Sequence, residues 1–464
     1  MRTMLVIPDG VGLRNFAHTE FLPRVTEKGP VSLLHVVPDG LVGRIMPTYQ
    51  DRVEWHTLCN VRESPLEYAL RYTLAYAHMM WGSTTAMRHN LSRPVRGSIK
   101  SKAVHSVARL ISRAAAGPDG IRRLNSCLIA LAQRSALVRH YTDLIARFSP
   151  DVLFCSNQKL PAVLPVVLAA RGLGVPTATF VFSWDNMTSK GRIAAPFDHF
   201  FVWSSLMRSE LLRFYPDVRP ERVHVVGTPQ FAPYFDPDRI VPRDVFIRAL
   251  GGDPARPLVC YTGGDISTVP EDHKFVEILV DAVRKGSVHG RPQVVLRPSP
   301  VDPGDRYEPV RRRHPDLLYS PPRWLHTQPG NTYKSIPMPE DVSLLANLVR
   351  HASVNVNVAS TMTLDFAVNG KPVVNIAFDA SNPPPFGRSL WDHYYQYEHY
   401  RPVVELGAAK IARNTDDLVE HLNAYLAEPE LDRDARQALV DLEVGVPPAE
   451  SCQRIVDTLV RIAN

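Results

Sequence analysis

Residues 341–379 read as helix, strand, helix, strand, and no other stretch constrains the fold as tightly. Val342, Leu344, Leu345, Leu348 and Val349 recur at helical spacing behind Pro337 and Pro339, which predicts an amphipathic helix running to about His351. Val354, Val356 and Val358 then alternate with Asn355 and Asn357 as a strand. The β-branched run stops at Ala359-Ser360-Thr361, whose hydroxyls can cap a short helix over about 361–368 that ends on Asn369-Gly370. Lys371-Pro372 leads into a second buried strand at 373–377. A hydroxyl-bearing turn at a helix N-terminus offers N–H groups and a positive dipole end, a ready site for phosphate. Asp365 lies four residues after Thr361 on the same helical face. Phosphate at the turn and a diol at the carboxylate would grip a nucleotide; an ordinary Ser/Thr cap with a solvated Asp accounts for the same residues.

The alternation continues through the chain. A strand at 2–8 is followed by Asp9-Gly10-Val11-Gly12 and a helix from about Leu13, the usual start of a doubly wound α/β domain. Asn15 stands where the dinucleotide fingerprint needs a third glycine, which disfavours NAD and FAD. Further strands are predicted at 31–37, 151–156, 176–182, 197–203 and 223–226, with helices at 159–171 and 204–214 and a helical stretch over 63–148 broken at 117–120. The loop 183–192 is polar and follows a parallel strand, where such folds place ligands. Asp185 is a candidate general base there, with Trp184, Asn186, Lys190 and Arg192 around it. A surface turn fixed by an Asx hydrogen bond over Trp184 is the simpler reading.

Pro229, Pro233, Pro237 and Pro242 mark a linker at about 230–243. The second half opens with a strand at 258–261 and Thr262-Gly263-Gly264-Asp265, where glycines let the backbone approach a diphosphate. A strand at 293–296 ends in Arg297-Pro298-Ser299-Pro300, and the Arg297 guanidinium suits paired hydrogen bonds to phosphate oxygens. Residues 391–400 are rich in aromatics that either cover a base or pack structurally; Val403-Val404 reads as a strand and 415–463 as helices broken at 447–448.

These elements make an α/β chain of two Rossmann-like domains, 1–235 with a helical insertion at 63–148, and 243–464 with terminal helices. A length of 464 residues exceeds one ordinary core. Cys59, Cys127, Cys155, Cys260 and Cys452 show no metal-ligand spacing, which argues against a structural zinc and for a reducing cytoplasm. No apolar run approaches the length of a membrane span. Residues 88–139 carry eleven Lys or Arg against one acid, Asp119, which suits an anionic membrane surface or solvated helix faces; no nucleic-acid recognition module accompanies it.

Ser360-Thr361, Asp365, Ala367 and Gly370-Lys371-Pro372-Val373, preceded by Pro339-Glu340-Asp341 and Leu344-Leu345 and followed by Phe378-Asp379, resemble the donor-binding region of GT-B glycosyltransferases. They are also similar to the matching region of CDP-glycerol glycerophosphotransferases. The resemblance implies two domains facing across a cleft, donor phosphates at Ser360 and Thr361, and the nucleotide ribose at Asp365. Gly12, Arg14, Asn15 and His18 would line the cleft, Gly263 and Gly264 would form the donor loop, and Gly227-Thr228-Pro229-Gln230-Phe231 is similar to the turn leaving the first domain. Ser299 replaces a histidine common in related transferases.

The expected function is sugar transfer from a nucleotide-sugar to a cell-surface polysaccharide, glycan or lipid-linked acceptor, without metal. Asp185 or His18 would be the base. Glycerophosphate transfer from CDP-glycerol, nucleotide-sugar 2-epimerisation and a non-catalytic subunit of a polymer-assembly complex stay open. A cytoplasmic location, peripheral at the inner face of the plasma membrane, follows as an expectation.

Overall fold

The computed structural model describes residues 1–46, 49, 51–95, 97–326 and 335–464; Arg96 of the basic stretch lies outside them. It divides into two compact units, Met1–Pro229 with Gly445–Asn464, and Gln230–Val444.

Among the described residues of unit 1, seven parallel strands are formed: β1 (Thr3–Ile7), β2 (Val31–His35), β3 (Val53–Thr57), β4 (Val152–Cys155), β5 (Thr177–Phe180), β6 (His199–Val202) and β7 (Val223–Val225). Their order is β3-β2-β1-β4-β5-β6-β7. β1, with Thr3 level with Val31 on one side and Val152 on the other, is buried along its length, as a strand covered on both faces must be. Phe16 packs edge-on against Phe21, Phe154 and Phe180 at 5.1–5.3 Å between ring centroids, closing the core over β4 and β5. The 63–148 stretch forms helices Pro65–Gly82, Thr85–Ser92, Ile99–Ala114, Pro118–Ala132 and Ala136–Phe148. Ser64 starts the first with a capping box closed by Glu67.

Unit 2 repeats the plan. β8 (Leu258–Thr262), β9 (Gln293–Arg297), β10 (Leu318–Tyr319), a ladder of β11 (Trp324–His326) with β12 (Ser335–Pro337), then β13 (Val354–Asn357), β14 (Val373–Ile376) and β15 (Lys410–Ala412) follow one another. The main sheet is parallel in the order β10-β9-β8-β13-β14-β15. Strand order thus reverses beside the first strand of each unit, between β1 and β4 and between β8 and β13. Ligands of open α/β sheets bind at the carboxyl ends of strands flanking such a reversal.

The structure departs from the sequence reading in three places. Helix Ser451–Ala463 belongs to unit 1, not to the second half: Cys452, Ile455, Val456 and Leu459 are buried, and Arg24 Nη1 donates to Gln453 Oε1 at 2.8 Å. The chain leaves unit 1 near Gly227 (φ 75°) and re-enters at Gly445 (φ 69°), both left-handed. A Cβ on Gly227 would lie 2.9 Å from Val446 Cβ, and one on Gly445 2.9 Å from Ser204 Cβ. Val403-Val404 is helical, within Arg401–Glu405, because Pro402 falls in the first turn, where its missing N–H costs nothing. β3 and β15 are short edge strands with polar residues that gave no clear alternation.

Candidate functional site

In unit 1 the reversal between β1 and β4 gathers a charged constellation. Asp9, just past β1, accepts from Gly12 N–H at 2.7 Å and from Asn157 Nδ2. It is 2% exposed, and burial raises its carboxyl above the ordinary range. Beyond β4, Asn157 Oδ1 accepts the Lys159 N–H at 2.9 Å, and Lys159 Nζ lies 4.4 Å from the centroid of the Phe182 ring. Burial and the Lys190 charge lower the Lys159 ammonium to about 8, against the opposing pull of Asp185 and Asp9. Gly12 is required by packing, since a Cβ would overlap Ser156 Oγ.

Asp185 is the hub of the 183–192 loop. It accepts from Ser183 Oγ at 2.6 Å, Asn186 Nδ2 at 2.8 Å and Ser189 Oγ at 2.7 Å, and Lys190 Nζ stands 3.2 Å away. A carboxylate offers about four acceptor positions, so this geometry makes Asp185 an organiser of the loop rather than an open base. Asn186 Oδ1 accepts from Gln158 Nε2 at 2.8 Å, tying the loop to the end of β4, and Trp184 is buried beneath. Arg14 Nε donates to Asn15 Oδ1 at 3.0 Å, leaving the buried Asn15 Nδ2 without a partner. His18, 7% exposed, closes the π-helical turn Leu13–Ala17.

In unit 2 several expected phosphate and ribose contacts are turned inward. Arg297 is 4% exposed, and its Nη2 donates to both oxygens of Asp341 at 2.9 Å. Asp341 also accepts from Arg323 N–H and Trp324 Nε1, each at 2.7 Å. The guanidinium therefore neutralises a buried carboxylate instead of standing open to a ligand. Asp365, 2% exposed, accepts from the Tyr234 hydroxyl, with Gln230 Nε2 at 3.5 Å, which places its carboxylate in the packing of the unit's own first turn. Gly264 N–H is taken by Asp272 Oδ2 at 2.8 Å, and Gly263 N–H by Arg297 O at 2.8 Å. A Cβ on Gly263 would lie 2.5 Å from Tyr307 Oη, so these glycines make room for a buried Tyr261–Asp272–Tyr307–Arg306 network. Ser299 follows β9 half-buried, its carbonyl accepting from Asp302 N–H at 3.0 Å.

The turn after β13 keeps the more open groups. Asn355 and Asn357 are both buried: Asn355 Nδ2 bonds Cys260 O at 2.9 Å, Asn357 Nδ2 bonds Asn355 Oδ1 at 2.6 Å, and Asn357 Oδ1 accepts Ser360 N–H at 3.0 Å. This asparagine ladder holds Ala359 at φ 40°, a left-handed conformation that costs an alanine about 1 kcal/mol or more. Ser360 Oγ accepts Met362 N–H at 3.2 Å; Thr361 enters the helix with helical dihedrals and no side-chain cap. The helix itself, Met362–Ala367, is six residues long, shorter than expected.

Sequence reasoning missed Asp9, Asn157 and Lys159. The polar run Asn157-Gln158-Lys159 directly after a strand was the available signal, obscured because Lys159 read as the start of a helix that begins at Val163.

No known protein family matches the chain, and no curated protein does. Solved structures match along its length. A putative UDP-N-acetylglucosamine 2-epimerase from Listeria monocytogenes aligns over 99% of this chain and 95% of its own, at 11% identity and a TM-score of 0.56. The UDP-GlcNAc 2-epimerase of Neisseria meningitidis, solved with UDP-GlcNAc bound, covers 99% and 100% at 10% identity and 0.52. A glycosyltransferase from Rickettsia africae covers 99% and 98% at 9% identity and 0.52. At such identities the likeness is one of fold, and the chain has the GT-B fold, with its two Rossmann-like units.

Proposed function

We propose that the chain is a nucleotide-sugar-dependent glycosyltransferase acting on a hydroxyl of a surface glycan or lipid-linked acceptor. The observation that carries this reading is the Asp9, Lys159, Asp185 and Lys190 constellation at the strand-order reversal of unit 1. Paired cations and carboxylates, one of them a lysine lowered to about 8, are costly to assemble unless they serve chemistry. In the transfer, the acceptor oxygen attacks the anomeric carbon, the bond to the leaving diphosphate breaks, and the hydroxyl proton passes to a protein base. Lys159 supplies a partly desolvated cation to the charge that develops. His18 is the proton acceptor of this reading, Asp9 holds Gly12 and Asn157 in place, and Asp185 orients the loop and Lys190. In unit 2, taken by itself, the strained turn at Ser360 and Thr361 is the phosphate contact of this reading.

A lysine lowered to about 8 also suits proton removal from carbon, as C2 epimerisation requires. The test begins with thermal shifts against UDP, GDP, CDP, CMP, dTDP and ADP, where a ligand at 100 times its Kd adds about 2.7 kcal/mol. The sugar form of the nucleotide that binds is then followed by NMR with and without glycan acceptors. Acceptor-dependent release of nucleoside diphosphate with a new glycosidic bond supports the transferase. Conversion of the donor to its C2 epimer without acceptor replaces it with an epimerase. CMP release from CDP-glycerol indicates glycerophosphate transfer, and binding of no nucleotide indicates a non-catalytic subunit.

A further inference from the structure

Helix Ile99–Ala114 has its polarity reversed. Its inward face carries His105, Ala108 and Ser112: the Tyr68 and Tyr76 hydroxyls meet the His105 ring nitrogens at 3.1 and 2.7 Å, and Ser112 Oγ donates to Thr73 O at 2.8 Å. Outward, Ile99 is 86% exposed, Leu110 66%, Val107 55% and Ile111 49%. At 100° per residue, Ile99, Ala103, Val107, Leu110 and Ala114 fall within an arc of about 80°. A surface helix ordinarily turns its apolar stripe to the core, and this one turns it away.

The margins of the stripe are cationic. Lys102, Arg109 and Arg113 border it on one side and Lys100 on the other, and the sixteen-residue helix contains no acid. A second copy of this chain would set cation against cation, which disfavours self-association through this face. An anionic lipid leaflet complements both features, receiving apolar side chains at the acyl boundary and ammonium and guanidinium groups at the phosphate level. No helix among the described residues is long and apolar enough to cross a membrane.

We propose that helix Ile99–Ala114 is an interfacial anchor that seats its outward stripe in an anionic lipid leaflet. The inference is independent of the sugar chemistry.

The test is flotation of the full chain with phosphatidylcholine vesicles, with and without phosphatidylglycerol. Wild type is expected to float only with the anionic vesicles, and less so as salt is raised. Replacing Lys100, Lys102 and Arg113 by Gln should weaken partitioning on the order of 100-fold, at about one factor of five per charge. Replacing Ile99, Val107 and Leu110 by Gln should weaken it comparably, while the thermal transition of these exposed-site variants stays at the wild-type value. Leu110→Trp should show a blue-shifted emission difference on anionic vesicles. Equal flotation with both vesicle types, unchanged binding by the apolar variant, or a dimer that the apolar variant abolishes without vesicle binding would each overturn the proposal.

Discussion

The pairing of Arg297 with Asp341 makes opposite demands on stability and on ligand binding, and this can be measured. Asp341→Ala removes an acceptor serving four hydrogen bonds of 2.7–2.9 Å and leaves a guanidinium that is 4% exposed without its counter-charge. Breaking a buried pair from one side costs about 3–5 kcal/mol. With a urea m-value of roughly 2–3 kcal/mol/M for a unit of this size, the midpoint should fall by about 1–2 M. Hydrogen exchange of peptides from β8, β9 and β13 at rising urea reads unit 2 apart from unit 1. Arg297→Met should also destabilise, since it leaves the carboxylate alone. The double variant should lose less than the sum of the singles, by about 2 kcal/mol, because it removes both charges. Strict additivity, or an Asp341→Ala protein of wild-type stability, would refute the argument and return Arg297 to a ligand.

Lys159→Met should lower turnover about 100-fold or more if its ammonium meets developing charge, while raising rather than lowering the urea midpoint at neutral pH, because burial penalises the ammonium. Activity that needs the ammonium is present below about pH 8 and declines above it, and Lys159→Arg should carry that limb to higher pH. Asp365→Ala should destabilise unit 2 by about 1–3 kcal/mol, by removing the buried carboxylate that accepts from the Tyr234 hydroxyl, without weakening nucleotide binding. His78 is buried, with Nδ1 unpartnered, and burial lowers it to about 3. Its folded pKa lies below the unfolded 6.5, so the unfolded chain takes up the proton first and stability falls as pH drops from 6.5 towards 3. The slope is about 1.4 kcal/mol per pH unit, and His78→Phe should flatten it in urea melts across that range.

Much of the fold was legible because buried parallel strands are short β-branched runs with turn residues after them, as at 3–7, 354–357 and 373–376. The edge strands β3 and β15 were not, since half-exposed residues such as Glu54, His56 and Lys410 break the pattern. The site was legible only in part. Sequence locates Gly263 after a strand and Arg297 and Asp365 at a strand end and a helix start, but not the backbone room needed at the first or the direction of the side chains at the other two. Tyr307, Asp341 and Tyr234, each far along the chain, decide these. Lys159 needed Asp9, 150 residues away, to become conspicuous.

The two glycine crossings set an order of biosynthesis. Gly227 and Val446 touch, so unit 2 is an insertion whose entry and exit are neighbours. Residues 230–444 form a continuous segment and can fold as soon as they clear the ribosome, whereas the unit begun at Met1 lacks its closing helix until residue 463 is made. At about 5–20 residues per second, unit 1 waits roughly 10–50 s with the surface that receives Cys452, Ile455 and Leu459 uncovered. The unit translated first is the one completed last.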